Sequence, residues 1–525
     1  MALPLAVWCG LHLFNSLWLG AYGSWNNTPM NQSHIRLVLA SLSLISIPVA
    51  SLAQTTQPAT TSSYKLVGKL VTGASLVQVE SRTFESPLEL SSSNQQLVDV
   101  FNWARAQACA YVFNGDPVGP WYEAVEPGRE GFCIRDTCHQ ALGAQALGLT
   151  QYTHNMLHRF AEGVSDSKDW CSYWEINRYG LPAPVDYKND AEFWYNLPAN
   201  FDLVDCCFRM YVWSGDRSYV TDPVFLNLYD RTVNDYVTRW GLGIDQIMTR
   251  PRLLNVRGIL DPTSKFQRNR GIPGYNEGDH NYIVSFDVLA TQYAAYQAYA
   301  NIAGVRGDED QYDKFMTKAA ALKNLIDSKW WDAANQRYYS RIGPDYKMEE
   351  GEGNDPRQTG LLDWDSVNYQ DPDAATAKLL DLKGVRLEYP EVSFTRIGTI
   401  VSGTMGINVV FSNPLLASVK GDWVEAAVQT YPGLGSTIGW AEIRNLTIRD
   451  NLVTVRHEGM RKTTFTNQRG PALIWIPTFP GLHDTLLVNG QPQKATQGKD
   501  SYGRDVTSLR VAVGAGGRVT VEVAE

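Results

Sequence analysis

The chain has 525 residues and a mass of 58.6 kDa, enough for roughly two or three domains with an ordinary core. Apolar residues make up 44% and charged residues 19%, which excludes both a disordered chain and a bundle of membrane helices. A net charge of −9, with no run of Lys and Arg to offset it locally, excludes a general nucleic-acid binder. The 16 Trp and 26 Tyr are a high count, and rings in such number serve either a heavy core or stacking platforms for flat apolar faces such as those of sugars.

Residues 1–53 read as addressing and not as fold. Met30-Asn-Gln-Ser-His-Ile-Arg36 is a weakly basic start, Leu37 to Val49 an apolar run of signal-peptide length, and Ser51-Leu-Ala53 a small-residue cleavage site. A secretory signal starting at Met30 is expected, with Met1–Pro29 as an upstream extension. The mature protein is then expected in the periplasm or outside the cell, with no stable membrane span. Gln54–Ser63, rich in Thr, Ser and Pro, reads as a linker. Six cysteines remain after the signal: Cys109, Cys133, Cys138, Cys171, Cys206 and Cys207. An oxidising compartment allows some of them to pair, with the connectivity open, and they lack the repeated CxxC spacing of a structural zinc site.

Periodicity then changes twice. Tyr64 to Glu89 alternates, as in Leu76-Val-Gln-Val-Glu80, and predicts short strands. Ser91–Asn94 caps a helix over Gln95 to about Phe113, with Leu97, Val100, Phe101, Ala104 and Ala108 on one face. Further helices are predicted over Arg135–Leu149, Tyr152–Gly163, Asn200–Trp213, Tyr219–Trp240, Asn281–Ala303, Asp308–Trp331, Ala374–Leu382 and Phe394–Val410. From about Trp423 alternation returns, as in Leu452-Val-Thr-Val-Arg456 and Leu473-Ile-Trp-Ile476, and continues to Val523. The fold class expected is mainly α: a helical toroid over 91–411 with an all-β C-terminal sandwich over 412–525, which the strands of 64–90 help to complete.

Short links between helices alternate with long loops rich in acids and aromatics: Asn114–Ile134, Val164–Pro198, Gly241–His280, Asp332–Pro372 and Lys383–Ser393. If the helices form antiparallel hairpins, these loops all lie at one end and build a rim there, where function is expected.

The first rim loop gathers Trp121, Glu123, Glu126, Arg129, Glu130, Arg135, Asp136 and His139. Carboxylates that accept, guanidinium forks that donate and an indole that stacks can together grip a polyhydroxylated ring. The same residues also suit an ion-pair network with Asp136 as a helix cap. The second loop brings Trp174-Glu175 and Trp194, the third Glu277, Asp279 and His280, and the last Glu388 and Glu391. A helix dipole favours a carboxylate at its start, so capping alone would account for several of these acids.

Gly128-Arg-Glu-Gly-Phe-Cys-Ile-Arg135-Asp136-Thr137 is similar to the Gly-Arg-Asp-Thr sugar-gripping segment of six-hairpin, (α/α)6 glycosidases, the group of glucoamylases, trehalases and α-L-rhamnosidases. Tyr173-Trp174-Glu175 resembles the Leu-Trp-Glu-Glu segment that bears the glucoamylase acid, with Ile176 in place of the second Glu. A full six-hairpin barrel has twelve helices, more than the periodicity shows, and the shortfall is put down to helices it misses. The resemblance implies inverting glycoside hydrolysis of an oligo- or polysaccharide by two carboxylates from different loops, and the long loops suggest a closed pocket and so an exo mode. It implies Glu277 as general acid with Asp279 as the alternative, and Glu391 as base with Glu388 as the alternative. Trp121, Glu130, Arg135, Asp136, Trp174, Glu175, Trp194 and His280 are expected to bind the sugar.

Three other readings stay open. A polysaccharide lyase would use His139, His280, Tyr275 and Arg129 on a uronate. Adjacent Cys206 and Cys207 resemble the zinc-thiolate β-L-arabinofuranosidases, with Cys171 and Glu175 completing a site, although the pair falls in an apolar helical run. A non-catalytic sugar-binding protein would also use the aromatic residues. No glycine fingerprint stands between a strand and a helix, so no nucleotide cofactor is expected, nor any other cofactor or metal.

Overall fold

The structure, a computed structural model, describes residues 84–126, 128–250, 263, 266, 269–275, 281–335, 337–349, 371–383, 385–415, 425–500 and 503–524. The signal, the linker, the strands expected from Tyr64 and the C-terminal domain's Trp423 lie outside these residues.

Nine helices organise the middle of the chain: α1 (Gln95–Ala110), α2 (Ile134–Ala146), α3 (Thr150–Glu162), α4 (Pro198–Ser214), α5 (Pro223–Arg231), α6 (Phe286–Val305), α7 (Glu309–Leu325), α8 (Pro372–Leu380) and α9 (Pro390–Thr399), among the described residues and leaving aside single turns. Asn94 caps α1, its side chain accepting from the Leu97 N–H at 3.1 Å, as the sequence indicates. The helix ends earlier than expected, because Val112-Phe113 pairs with Trp121-Tyr122 as a small ladder. The helix expected over Tyr219–Trp240 is broken at Pro223, which has no N–H to continue it and instead starts α5 under an Asp222 cap.

Burial sorts the helices into two layers. α3 buries Thr153, Met156, Leu157, Phe160 and Ala161, a single stripe at helical spacing, and α7 buries Phe315, Ala319 and Leu322. α4, α6 and α9 are buried nearly all round. The fully buried helices are the inner ones, and they pack side by side in the order α9, α2, α4, α6, with α3 and α7 returning outside them. α2 and α4 each follow a long loop, while α3 and α7 each follow a short link, so the first two long loops lie at the end where the inner helices start.

α2 and α9 approach closely at Gly143. A Cβ on Gly143 would stand 1.9 Å from the Phe394 carbonyl oxygen. Gly143→Ala is therefore expected to cost about 2–3 kcal/mol of unfolding free energy in a urea titration, since two backbones would have to separate. A loss below about 0.5 kcal/mol would show that this contact is not tight.

The chain leaves the helices at Gly406, whose φ is +52° and whose Cβ would meet the Tyr431 carbonyl at 1.7 Å. Here the expected helix Phe394–Val410 is corrected: after α9 and one wide turn, Ile407–Phe411 is a strand, as its β-branched residues favour. It opens one of two sheets in the C-terminal domain. The other sheet is completed by Glu89–Ser92, antiparallel to Trp440–Ile448 with Leu90 opposite Ile443, so a strand from before the helices does close the C-terminal domain.

This β domain caps the end of the array opposite the rim. Arg449 N donates to the carbonyl of Trp213 at the end of α4 at 2.8 Å, and His457 Nε2 lies 2.9 Å from the Met405 carbonyl just after α9. The C-terminal ends of α4 and α9 are thereby covered, which leaves the N-termini of these inner helices facing away from the β domain. No helix among the described residues is long and apolar enough to cross a membrane. All six described cysteines are buried free thiols.

Candidate active site

Each inner helix carries a buried acid near its start: Asp136 in α2, Asp202 in α4, Asp287 in α6 and Glu391 in α9. The helix dipole favours a negative charge there, while burial disfavours it, so the proton balance of each is set by its neighbours.

The tightest group joins α2 to α9. Asp136 and His139 are three residues apart on one face of α2, and His139 Nδ1 lies 2.9 Å from Glu391 Oε1. Burial, then the Arg135 charge, lowers the His139 pKa well below that of a free imidazole, so the ring is neutral. A neutral ring facing a carboxylate carries its proton on Nδ1 and donates it, which orients Glu391. Burial, then the Glu391 charge, pushes Asp136 up to about 7 against the pull of Arg135, whose Nε stands 3.2 Å from Asp136 Oδ1. One ligand atom from each of Asp136, His139 and Glu391 falls within 4.8 Å of the others, so this group could hold a cation. Arg135 beside it opposes a cation, and a proton on Asp136 relieves the same repulsion.

Asp136 keeps its proton up to about 7 in the folded protein but only to its ordinary 3.8 when unfolded. The native state binds more protons in that window, so stability falls as pH rises through it. Asp136→Asn is accordingly expected to raise Tm at pH 8, on the order of 2–4 °C, and to raise it less at pH 5. A lower Tm at pH 8 in a thermal melt would show that Asp136 stabilises as an anion.

Arg135 is held between two rings, 5.5 Å from the centroid of Trp174 and 5.4 Å from that of Tyr275. Tyr275 donates its hydroxyl to Asp202 and its backbone N–H to Asp287 Oδ2, the latter at 2.6 Å. Burial raises Asp202 to about 7 and Asp287 to about 6.

Above this floor the first two rim loops are hooked together by the antiparallel pair Gly131–Cys133 and Glu175–Asn177, with Cys133 opposite Glu175. The buried carboxyl of Glu175 meets Arg129 Nη2, and the same guanidinium reaches Asp186 at 3.3 Å. Burial raises Glu175 to about 8 despite Arg129, and Asp186 adds to the rise. Glu123 accepts from the N–H groups of Gly128 (3.0 Å) and Glu130 (3.1 Å) and so fixes the turn that presents Arg129. Over Glu175 opens a cleft of about 550 Å³.

The structure brings Arg135, Asp136, Trp174, Glu175 and Glu391 together at the rim, and Glu130 lines the cleft. Two expectations are corrected. Trp121 is buried, stacked on Phe113 at 4.4 Å and bonded to Asp116, so its ring is core and offers no platform for a sugar. Glu388 lies on the surface, 55% exposed and paired with Arg386, because it precedes Pro390 and stays outside α9. Trp194 is half-buried against the core, its indole donating to Asn196 at 2.9 Å. Glu277, Asp279 and His280 lie outside the described residues. Asp202, Asp287 and the His139–Glu391 pairing were missed. An acid at the start of a helix with no polar face was the available signal for the first two; the pairing has no local signal.

The thiolate reading is corrected as well. Cys206 and Cys207 lie fully buried inside α4, where they pack as core, and burial holds the Cys207 thiol well above its ordinary pKa, which disfavours the thiolate there.

No family model matches the sequence, and no curated protein matches it either. Among solved structures the chain is similar to an α-L-rhamnosidase from Dictyoglumus thermophilum, with 12% identity and a TM-score of 0.48 over 84% of this chain and 51% of that one. It is similar to a rhamnosidase of Bacillus sp. GL1, with 12% identity and a TM-score of 0.46 over 74% of this chain and 41% of that one. A putative kojibiose phosphorylase from the human microbiome follows, with 9% identity and a TM-score of 0.40 over 82% of this chain and 67% of that one. The chain spans about half the length of the two rhamnosidases or less.

Proposed function

We propose that the protein is an exported glycoside hydrolase that cleaves an oligo- or polysaccharide with two carboxyl groups, inverting and from the chain end. The observation that carries this reading is a pair of buried carboxyls from different loops in unlike surroundings. Glu175, raised to about 8, keeps its proton at neutral pH, while Glu391 accepts a hydrogen bond from neutral His139. As the glycosidic bond breaks, Glu175 gives its proton to the leaving oxygen. Glu391 takes a proton from water, whose oxygen bonds to the anomeric carbon. Arg135, Asp136 and Trp174 hold the sugar between them. Glu277, the acid indicated by the sequence, is the alternative in that role.

A lyase is less well supported. Tyr275 donates to Asp202, and burial holds its phenol well above the ordinary value, both unfavourable for a base.

Reducing-sugar release and absorbance of unsaturated uronides, followed together on plant and microbial oligosaccharides, test the reading. Sugar release without the ultraviolet signal is expected, abolished in Glu391→Gln and Glu175→Gln. An ultraviolet signal would replace the hydrolase with a lyase. Loss of sugar release in Glu277→Gln with Glu175→Gln still active would move the acid to Glu277.

A further inference from the structure

Among the described residues five large apolar side chains stand well out of the surface, and three of them fall in one loop: Tyr179 (60% exposed), Leu181 (60%) and Val185 (46%). Clustered exposure of this kind marks a contact surface. The loop is firmly built. Asn177 Oδ1 accepts from the N–H groups of Tyr179 (3.0 Å) and Leu181 (3.2 Å), and the Asn177 N–H donates to the Leu181 carbonyl at 2.9 Å. Arg178 is held by Asp116, 3.0 Å from its Nε, and by Glu130, 2.8 Å from its Nη1, with its guanidinium 6.0 Å over the Tyr179 ring. Tyr179 is thus positioned before any ligand arrives, and little ordering entropy opposes binding.

The cleft over Glu175 has a mixed lining. Tyr179, Pro184 and Val185 give it apolar surface, and Asn177, Arg178 and Glu130 give it polar groups. A pyranose ring has the matching two sides, a C–H face that stacks on an aromatic ring and an edge of hydroxyls. A bare aryl group would leave the polar lining groups unpaired. A uronate would require a guanidinium to spare, yet Arg129 already meets Glu175 and Asp186, and Arg178 already meets Asp116 and Glu130.

We infer that this cleft is the leaving-group subsite and takes a neutral pyranose ring, which makes the substrate a neutral disaccharide or longer glycan. The words leaving group rest on the hydrolase reading; the affinity for a ring does not.

Tyr179→Ala tests it, since the exposed side chain contributes little to folding, with Tyr179→Trp as the conservative variant. On a neutral oligosaccharide that the wild type cleaves, Tyr179→Ala is expected to lower kcat/KM about tenfold more than on the glycosyl fluoride of the same sugar, which has no leaving ring. Tyr179→Trp is expected to restore most of the loss. Equal losses on the two substrates, or none, overturn the subsite. If the wild type cleaves no oligosaccharide, the hydrolase reading alone fails, and the subsite is then read by saturation-transfer NMR with cellohexaose, xylohexaose, maltohexaose and mannohexaose. A signal from one of these, lost in Tyr179→Ala, upholds it. No signal from any of them, or a stronger one from hexagalacturonate, overturns it.

Discussion

Glu391→Gln is expected to lower kcat by roughly 10³-fold, near the middle of the range for removal of a general base, and to leave KM within a few-fold of the wild type. The amide retains an oxygen that can accept from His139 Nδ1, now 2.9 Å from Glu391 Oε1, so α9 stays docked on α2 and the circular dichroism spectrum and Tm are expected to hold. What is lost is the negative charge that draws a proton from water. The same substitution removes the neighbouring charge that, after burial, does most to raise Asp136, so Asp136 should titrate below about 7 in the variant. A kcat loss under about tenfold with a normal fold would show that Glu391 only buttresses the helix pair.

Glu175→Gln has a different signature. An acid matters in proportion to how poorly the leaving group departs, so a loss of roughly 10²- to 10⁴-fold is expected on an oligosaccharide and under about tenfold on the glycosyl fluoride. The pH profile carries the sign. Glu175 must be protonated to act, and burial raises it to about 8, so wild-type kcat should fall as pH rises through that value. In Glu175→Gln that limb should vanish. Equal losses on both substrates would assign Glu175 to binding. The fluoride-sparing pattern in Glu277→Gln instead would give the acid role to that residue.

Much of the architecture is written locally. α3 and α4 differ in sequence as they differ in place: Thr150–Glu162 has one apolar stripe and lies outside, whereas Pro198–Ser214 is apolar nearly all round and lies inside. The alternation of Leu452–Arg456 became a strand. Boundaries were legible only where a residue enforces them. Asn94 starts α1 where expected, but the strand after α9 was read as helix, because Ile, Val and Phe fit either period and the deciding fact is the Tyr431 backbone against Gly406.

By itself, then, the sequence determined that the middle of the chain is helical and its end all β, and it singled out Asp136, Glu175 and Glu391 as candidate site residues, because periodicity and residue type act over a few positions. The tertiary structure alone decided which groups meet. His139 and Glu391 touch across 252 residues, and Arg129 and Glu175 across 46. It also turned Trp121 into core, left Glu388 in solvent and buried the adjacent cysteines. Proton preference depends on desolvation and on charges brought in from other elements, and no local pattern of residues encodes either.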